Sequence, residues 1–349
     1  MSKKKKILFI VNPISGTKKK FPIDDLIDTH LDQSQYAYKI HFTTCRGDAI
    51  IESKKAVADN YEVVIAVGGD GTINEVAQGL VNSNVALGVI PRGSGNGFAN
   101  YFKIPHDPKK AIEVINKSNA SLIDTGSFND KLFLSVAGLG FDARVSAAFD
   151  VFGRRGLLSY MYISAREYFS FRAKSYTIEL NDRTIDTKAF LLTAANSSQF
   201  GNNAYIAPNA KIDDGLLDFV IIKPSNIFSS MIISFRMFNG TLHKSKYCEI
   251  YQSDKIRITH KDNIAQIDGE PVSIPNQTTI RMHAKSLLMI SWENNLEFKR
   301  NKSNQFPRLL YICWEQFNKL YSGMKIDLKE IWNFISLAPS PEQKGKKMV

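Results

Sequence analysis

The stretch "EVVIAVGGDGTINE" (residues 62–75) runs without a polar residue from Val63 to Val67 into three glycines that surround one aspartate. An apolar run with no alternation is the pattern of a strand buried on both faces, which places it centrally in a parallel sheet. Gly68, Gly69 and Gly71 then fall where that strand ends and a helix begins, the crevice at which open α/β sheets bind ligands. Without Cβ atoms, these residues let backbone N–H groups approach phosphate oxygens, and the following helix N-terminus adds a favourable dipole. Asp70 would repel a phosphate there unless a Mg²⁺ ion lies between them or the carboxylate accepts a proton. Either role implies phosphate chemistry. A Gly-rich turn with a capping Asp explains one or two of the glycines but not the continuation Thr72, Asn74, Glu75.

Working outward, residues 1–125 alternate short β-branched runs with helical patterns. "KILFIVNP", "YAYKIHFTT", "EVVIAVGGD" and "ALGVIP" read as strands, with "PIDDLIDTHLDQ", "DAIIESKKAVADN", "TINEVAQGLVN" and "DPKKAIEVINKS" as the helices covering them. This is a three-layer α/β domain. From about residue 126 to 295, period-two runs joined by turn dipeptides predict a mainly β domain, a sandwich, interrupted by the aromatic-rich helical patterns "RRGLLSYMYISAREYFSF" and "NIFSSMIISFRMFNGT". Leu157, Tyr160, Met161, Phe169, Met231, Ile232, Phe235 and Phe238 in those patterns are candidates for meeting an acyl chain, although most such positions in proteins are simply core. Residues 296–349 read as a basic, helix-prone tail that packs on the first domain, pairs with another chain or rests on a membrane.

Composition narrows the class. With 349 residues and 44% hydrophobic content the chain is long enough for two globular domains. No apolar run approaches the roughly 18 residues of a membrane span, so a cytoplasmic protein is expected. Cys45, Cys248 and Cys313 have no metal-ligand spacing, and no histidine makes an HxH or HExxH pair. The net charge of +11 attracts polyanions. The absence of helix-turn-helix, zinc-finger or RNP patterns argues against nucleic acid and leaves nucleotide phosphates and acidic lipid headgroups. There is no GxxxxGK[ST], and the acid twenty residues past Gly93, Glu113, falls inside a helical pattern, so dinucleotide redox chemistry is not supported.

"VNPISG" (11–16), "GGDGTINEVAQGL" (68–80) and "PRGSGNGFA" (91–99), in that order and spacing, resemble the catalytic domain of the diacylglycerol kinase family, which includes bacterial lipid kinases, sphingosine kinases and ceramide kinases. "GLGFDARV" (138–145), "DDGLLD" (213–218) and "IDGEPV" (267–272) resemble the same family's second domain, so the likeness covers roughly residues 5–292. It implies ATP- and Mg²⁺-dependent phosphorylation of a lipid hydroxyl, diacylglycerol or a long-chain base, between an α/β nucleotide-binding domain like that of NAD kinases and a β-sandwich domain. It implies that Asn12, Pro13, Ser15, Gly16, Thr43, Gly68 to Thr72, Asn74, Glu75, Ser94, Gly95 and Asn96 surround the nucleotide. Asp70 would act on Mg²⁺ through water, with Glu270 as general base. Asp214, with backbone carbonyls near Lys211 and Leu216, resembles a structural Mg²⁺ site; a plain turn reads there almost as well. Gly97 stands where bacterial diacylglycerol kinases usually carry an aspartate, closer to the "GSGN" of sphingosine and ceramide kinases. The resemblance further implies peripheral contact with the inner face of the membrane and leaves a homodimer open. The alternatives are an NAD kinase-like small-molecule kinase and a catalytically inactive nucleotide- or lipid-binding regulator.

Overall fold

The computed structural model of the protein describes residues 4–16, 22–93, 95–117, 119–153, 157–181, 183–201 and 203–291. The chain divides into the units Met1–Phe306 and Pro307–Val349. The second unit, and with it the reading of the tail 296–349, lies outside the described residues.

Within the first unit, β1 (Lys5–Val11), α1 (Ile23–His30), β2 (Tyr36–Phe42), α2 (Asp48–Ala58), β3 (Val63–Gly68), α3 (Asp70–Leu80), β4 (Ala86–Pro91), the short α4 (Gly97–Tyr101) and α5 (Pro108–Lys117) alternate as the β-branched and helical patterns dictate. The parallel order is β2-β1-β3-β4. β3 lies between β1 and β4 and every one of its residues is buried, which is the outcome expected of an unbroken apolar run. One apolar core, with Phe9, Ile65, Ile73 and Leu80 fully enclosed, fills this lobe.

The second lobe contains β5 (Ala120–Phe128), β6 (Lys131–Phe133), β7 (Val136–Gly140), α6 (Phe141–Phe152), α7 (Leu157–Ser170), β8 (Lys174–Leu180), β9 (Arg183–Ala189), β10 (Leu191–Ala195), β11 (Leu217–Ile222), α8 (Ile227–Phe238), β12 (Cys248–Ser253), β13 (Lys255–Thr259), β14 (Ile264–Ile267), β15 (Glu270–Ser273) and β16 (Gln277–Ile290). The antiparallel sheet β12-β11-β10-β7-β14-β15 faces strands β5, β8, β13 and β16 across a core of Phe128, Phe133, Ile178, Phe219 and Ile256. This is the expected sandwich.

The boundary between the lobes is not a simple cut. A division at 125/126 passes through the middle of β5, and the fourteen-residue β16 belongs to both lobes. Its first half pairs with β13, while its end lies parallel to β4 at Met289 opposite Leu87. Leu287, Met289 and Ile290 therefore sit in the core of the α/β lobe, and one ten-stranded sheet runs through the molecule. Among the described residues no helix is long and apolar enough to cross a membrane.

Because the end of β16 is core to the first lobe, Leu287→Ala should destabilise the protein by about 2–5 kcal/mol. Leu122, on the neighbouring β5 but 46% exposed, should tolerate the same change with little loss. Chemical denaturation of the two variants side by side checks the contrast.

Candidate active site

β1 to β4 run parallel, so their C-terminal ends open on one edge, and the loops following each strand gather there. The ladder extends into these loops: Asn12 N–H donates to Val67 O (3.0 Å), Thr43 N–H to Val11 O (2.9 Å) and Arg92 N–H to Gly68 O (2.7 Å). In the first loop, Pro13 lies in a turn closed by Ser15, whose hydroxyl donates to Asn12 O at 2.8 Å, while the Asn12 amide donates to Thr72 Oγ1 at 3.2 Å. Gly16 has φ +85°, and a Cβ there would meet the Arg92 guanidinium at 3.1 Å. Glu75 Oε1 accepts from Gly47 N–H (3.0 Å), bracing the loop after β2 to α3.

The glycines of the two central turns answer to close packing. A Cβ on Gly93 would stand 2.8 Å from the Gly69 Cα and 2.7 Å from Asn96 Oδ1, so the turns after β3 and β4 touch backbone to backbone. Asn96, at φ 47°, closes the second turn by accepting from Gly93 N–H (2.7 Å) and donating to Gly93 O (2.8 Å).

Asp70 opens α3, whose N-terminus has no side-chain cap. Its Oδ1 accepts from Phe98 N–H of α4 at 3.3 Å. Burial pushes this carboxyl above its ordinary value, and the amides of Phe98, Gly97 and Asn96 offset part of that push. Asp70 lines a crevice with Gly97 and Phe98 and, from the other lobe, Phe200 and Asp268. The crevice holds about 20 Å³, room for one water.

The β lobe reaches this crevice through a two-residue hairpin. Ile267 pairs with Glu270, and Asp268 (φ 47°) and Gly269 (φ 87°) supply the two left-handed positions that such a turn requires. Asp268 accepts from Leu134 N–H (2.8 Å), Ser135 N–H (2.8 Å), Val136 N–H (3.1 Å) and the Asn74 amide (2.8 Å). Burial raises its carboxyl despite those donors. Glu270 faces the glycine turn: a Cβ on Gly71 would lie 2.8 Å from Glu270 Oε1, and Glu270 Oε2 pairs with Arg46 from the loop after β2. Arg46 and Glu270 are 80% and 47% exposed, so the pair itself adds little stability.

The expected residues thus separate into groups. Asn12, Pro13, Ser15, Gly16, Thr43, Gly68 to Thr72, Gly95 and Asn96 share the loop edge with Glu270 opposite, and Glu75 braces it. Asn74 does not face the loops; its amide is turned to Asp268 and Leu132 O and so joins the lobes. Ser94 lies outside the described residues. Lys211, Asp214 and Leu216 form a separate loop, where Asp214 accepts from Leu216 N–H (3.1 Å) and the buried Asp124 accepts from Gly215 N–H (2.7 Å). Burial and the negative charge of Asp124 raise the Asp214 carboxyl, which is the electrostatic setting a cation would relieve. Among the described residues the one trio of metal-type ligand atoms within 4.8 Å of each other is instead His41, Asp48 and Glu52. There the two ring nitrogens face different carboxylates, Asp48 at 3.3 Å and Glu52 at 4.0 Å.

Residues 6–128 match the family described as Diacylglycerol kinase catalytic domain, and residues 135–289 match the YegS C-terminal NAD kinase beta sandwich-like domain. A diacylglycerol kinase of Staphylococcus aureus (strain JH9) is 32% identical over 232 residues, covering 64% of this chain and 72% of the relative. The chain belongs to the diacylglycerol kinase family. As a member it is an ATP-dependent lipid kinase. A diacylglycerol kinase of Bacillus subtilis (strain 168) is 29% identical over 282 residues, covering 76% of this chain and 90% of the relative. The fold is shared with a crystal structure described as a putative diacylglycerol kinase from Bacillus anthracis str. Sterne, at TM-score 0.68 and 22% identity over 83% of this chain and 98% of that one.

Three residues beside the candidate site escaped the sequence reading: Arg46, Arg92 and Asp268. Arg92 and Asp268 stand inside the motifs "PRGSGN" and "IDGEPV", and their place next to an identified residue was the available signal. Arg46 has no local signal, since its partner Glu270 is 224 positions away.

The hairpin carrying Glu270 is braced from behind. Gly269 N–H donates to Gln266 Oε1 (2.8 Å), the Gln266 amide donates to Asp142 Oδ2 (3.2 Å), and Ser146 Oγ donates to Gly269 O (2.6 Å). Burial pushes the Asp142 carboxyl up to about 7. A raised carboxyl holds its proton in the folded state after the unfolded chain has lost it, near pH 4. Its contribution to stability is therefore full below about pH 4 and lost as pH rises towards 7. Replacing Asp142 by Asn should remove this term, so the melting temperature of the wild type should fall relative to Asp142→Asn between pH 5 and pH 8. A constant gap between the two melting curves across that range would count against it.

Proposed function

We propose that this kinase transfers the γ-phosphate of ATP to the free hydroxyl of diacylglycerol at a membrane surface. The observation that carries the reading is the meeting of two turns from different lobes, Gly69 to Gly71 with Asp70 and Asp268 to Glu270, across a water-sized crevice. In this reading the loops after β1 to β4 hold the nucleotide. The glycine turns let backbone amides approach its phosphates, and Arg92 and Arg46 lie where phosphate charge gathers. Glu270 takes the proton from the attacking hydroxyl as its oxygen bonds to the γ-phosphorus and the bond to the ADP oxygen breaks.

Mg²⁺ suits this donor set. Asp70 stands in the glycine turn with its second oxygen close to Gly95, whereas the donors on Asp268 join the two lobes. Bound there through water, the ion would neutralise the charge of the transferring phosphoryl group. Diacylglycerol is favoured as acceptor because the curated relatives carry that name.

Incubation with ATP, Mg²⁺ and a total lipid extract should give a phosphorylated lipid whose mass corresponds to phosphatidic acid. A product mass corresponding to a phosphorylated long-chain base would replace the acceptor, and phosphorylation of NAD without any lipid product would overturn the reading. Glu270→Gln should lower kcat by at least about 10²-fold, as loss of a general base does, while ATP affinity is kept. Asp70→Asn should lose transfer as fully at ordinary Mg²⁺; partial recovery in excess Mg²⁺ would support its role in holding the ion, and a variant with wild-type activity would overturn that role.

A further inference from the structure

A helix on the surface of a water-soluble domain buries its apolar stripe and turns charged residues outward. α8 does the reverse. Ile233 is its buried residue and packs with Val220, Ile222 and Leu242. Ile227, Phe228, Met231 and Ile232, spaced to share one face, are 41%, 75%, 60% and 55% exposed. Arg236 is the only charged residue in the helix. The helix is firmly built: Asn226 caps it through Ser229 N–H (2.9 Å), and Ser230 shares a hydrogen bond with Tyr168 of α7 at 2.9 Å. α7 in turn exposes Phe169 at 71%.

The surroundings are basic. From Lys223 to Cys248 the chain carries Lys223, Arg236, Lys244 and Lys246 and no acidic residue. Lys223 pairs with Glu249, just beyond. On α7, Glu167 is held by both Arg144 and Arg166, and the Arg172 guanidinium donates to the carbonyls of Phe169 and Phe171. An exposed apolar face on a stretch of chain with excess positive charge complements an anionic lipid surface, where apolar burial and electrostatic attraction act together.

From these observations we infer that the exposed face of α8, with Phe169 beside it, inserts into the interfacial layer of a bilayer containing anionic lipid. The inference rests on the proposed lipid acceptor and adds which surface meets the bilayer. A short path connects this face to the site. Met237 O at the end of α8 accepts from Tyr205 N–H (3.0 Å), and the same loop brings Phe200 and Gly201 against Gly97, beside Asp70. Insertion therefore places the mouth of the crevice one loop away from the lipid.

The test is sedimentation of the full chain, without ATP, with vesicles of phosphatidylcholine alone or with phosphatidylglycerol. The wild type should bind the anionic vesicles more tightly, and salt should weaken binding. The triple variant Phe228→Ser, Met231→Ser, Ile232→Ser should bind at least about 10-fold more weakly, as loss of that much apolar burial requires, with melting temperature and ATP affinity unchanged. In a second variant, Phe228→Trp, the fluorescence of residue 228 should be quenched by brominated acyl chains. A wild type that ignores vesicles, a triple variant that binds like the wild type, or an unquenched Trp at 228 overturns the inference. So does a triple variant that merely converts a dimer to a monomer, since the occupant is then a second copy. Vesicle binding needs no turnover. A protein that binds but phosphorylates no lipid fails the proposed reaction alone, and one that phosphorylates detergent-dispersed lipid while its triple variant still binds vesicles normally fails this inference alone.

Discussion

The carboxylate of Asp268 holds both lobes at once. Three successive backbone N–H groups, from Leu134 to Val136, and the Asn74 amide on α3 converge on its two oxygens. Each donor lowers the carboxyl's affinity for a proton and burial raises it, with burial the larger effect, so the site keeps a costly group for its geometry. That geometry sets where Glu270 can be. With Asp268 tied to α3 and Gly269 tied to Gln266 and Ser146, the next residue has little freedom, and its carboxylate stands over Gly71.

The shared sheet strengthens this constraint. Were the lobes joined by a linker, the two acids would have to be brought together by domain closure. Here β16 passes from the sandwich into the α/β core, and its pairing with both β13 and β4 fixes one lobe against the other. Adjustment on binding must then fall on the parts that the sheet does not hold. The exposed pair of Arg46 with Glu270 is such a part, a contact easily exchanged for another charge.

The α/β half was legible because its signal is local: the unbroken apolar run of β3, the alternation of strands with helices and the glycine turns are each contained in a few residues. The helix α6 went unread because "GLGFDARV" opens with glycines that suggest a turn, and β9 because "RTIDTKA" is largely exposed and polar. Only the apolar end of β16, "LLMI", carries a clear strand signal, because its first half, "QTTIRMHAKS", is an edge-like polar alternation. In the site, the residues inside the glycine motifs could be found, while roles set by contacts across the chain could not. Asn74 looks like part of the nucleotide loop and is a joint between lobes, and Asp268 looks like an ordinary turn residue. The apolar character of α8 was visible, but which face is covered depends on Ile233 meeting the sheet beneath it.

Gly97 has a physical reason of its own. The family resemblance leads one to expect an acid here, but a Cβ at this position would lie 3.0 Å from Phe200 O and 3.3 Å from the Gly201 Cα. The backbone of Phe200 and Gly201 thus occupies the space of the absent side chain. Electrostatics favours the same outcome, because Asp70 and Asp268 already line a crevice of about 20 Å³ and burial raises both. A third carboxylate would add like-charge repulsion unless a cation compensated it. Close approach of this loop and omission of the acid are consistent with each other, and the same loop hydrogen-bonds to α8 through Tyr205 N–H and Met237 O. Gly97 therefore answers to how closely this loop covers the crevice, while Asp70 and Asp268 remain the acids that line it.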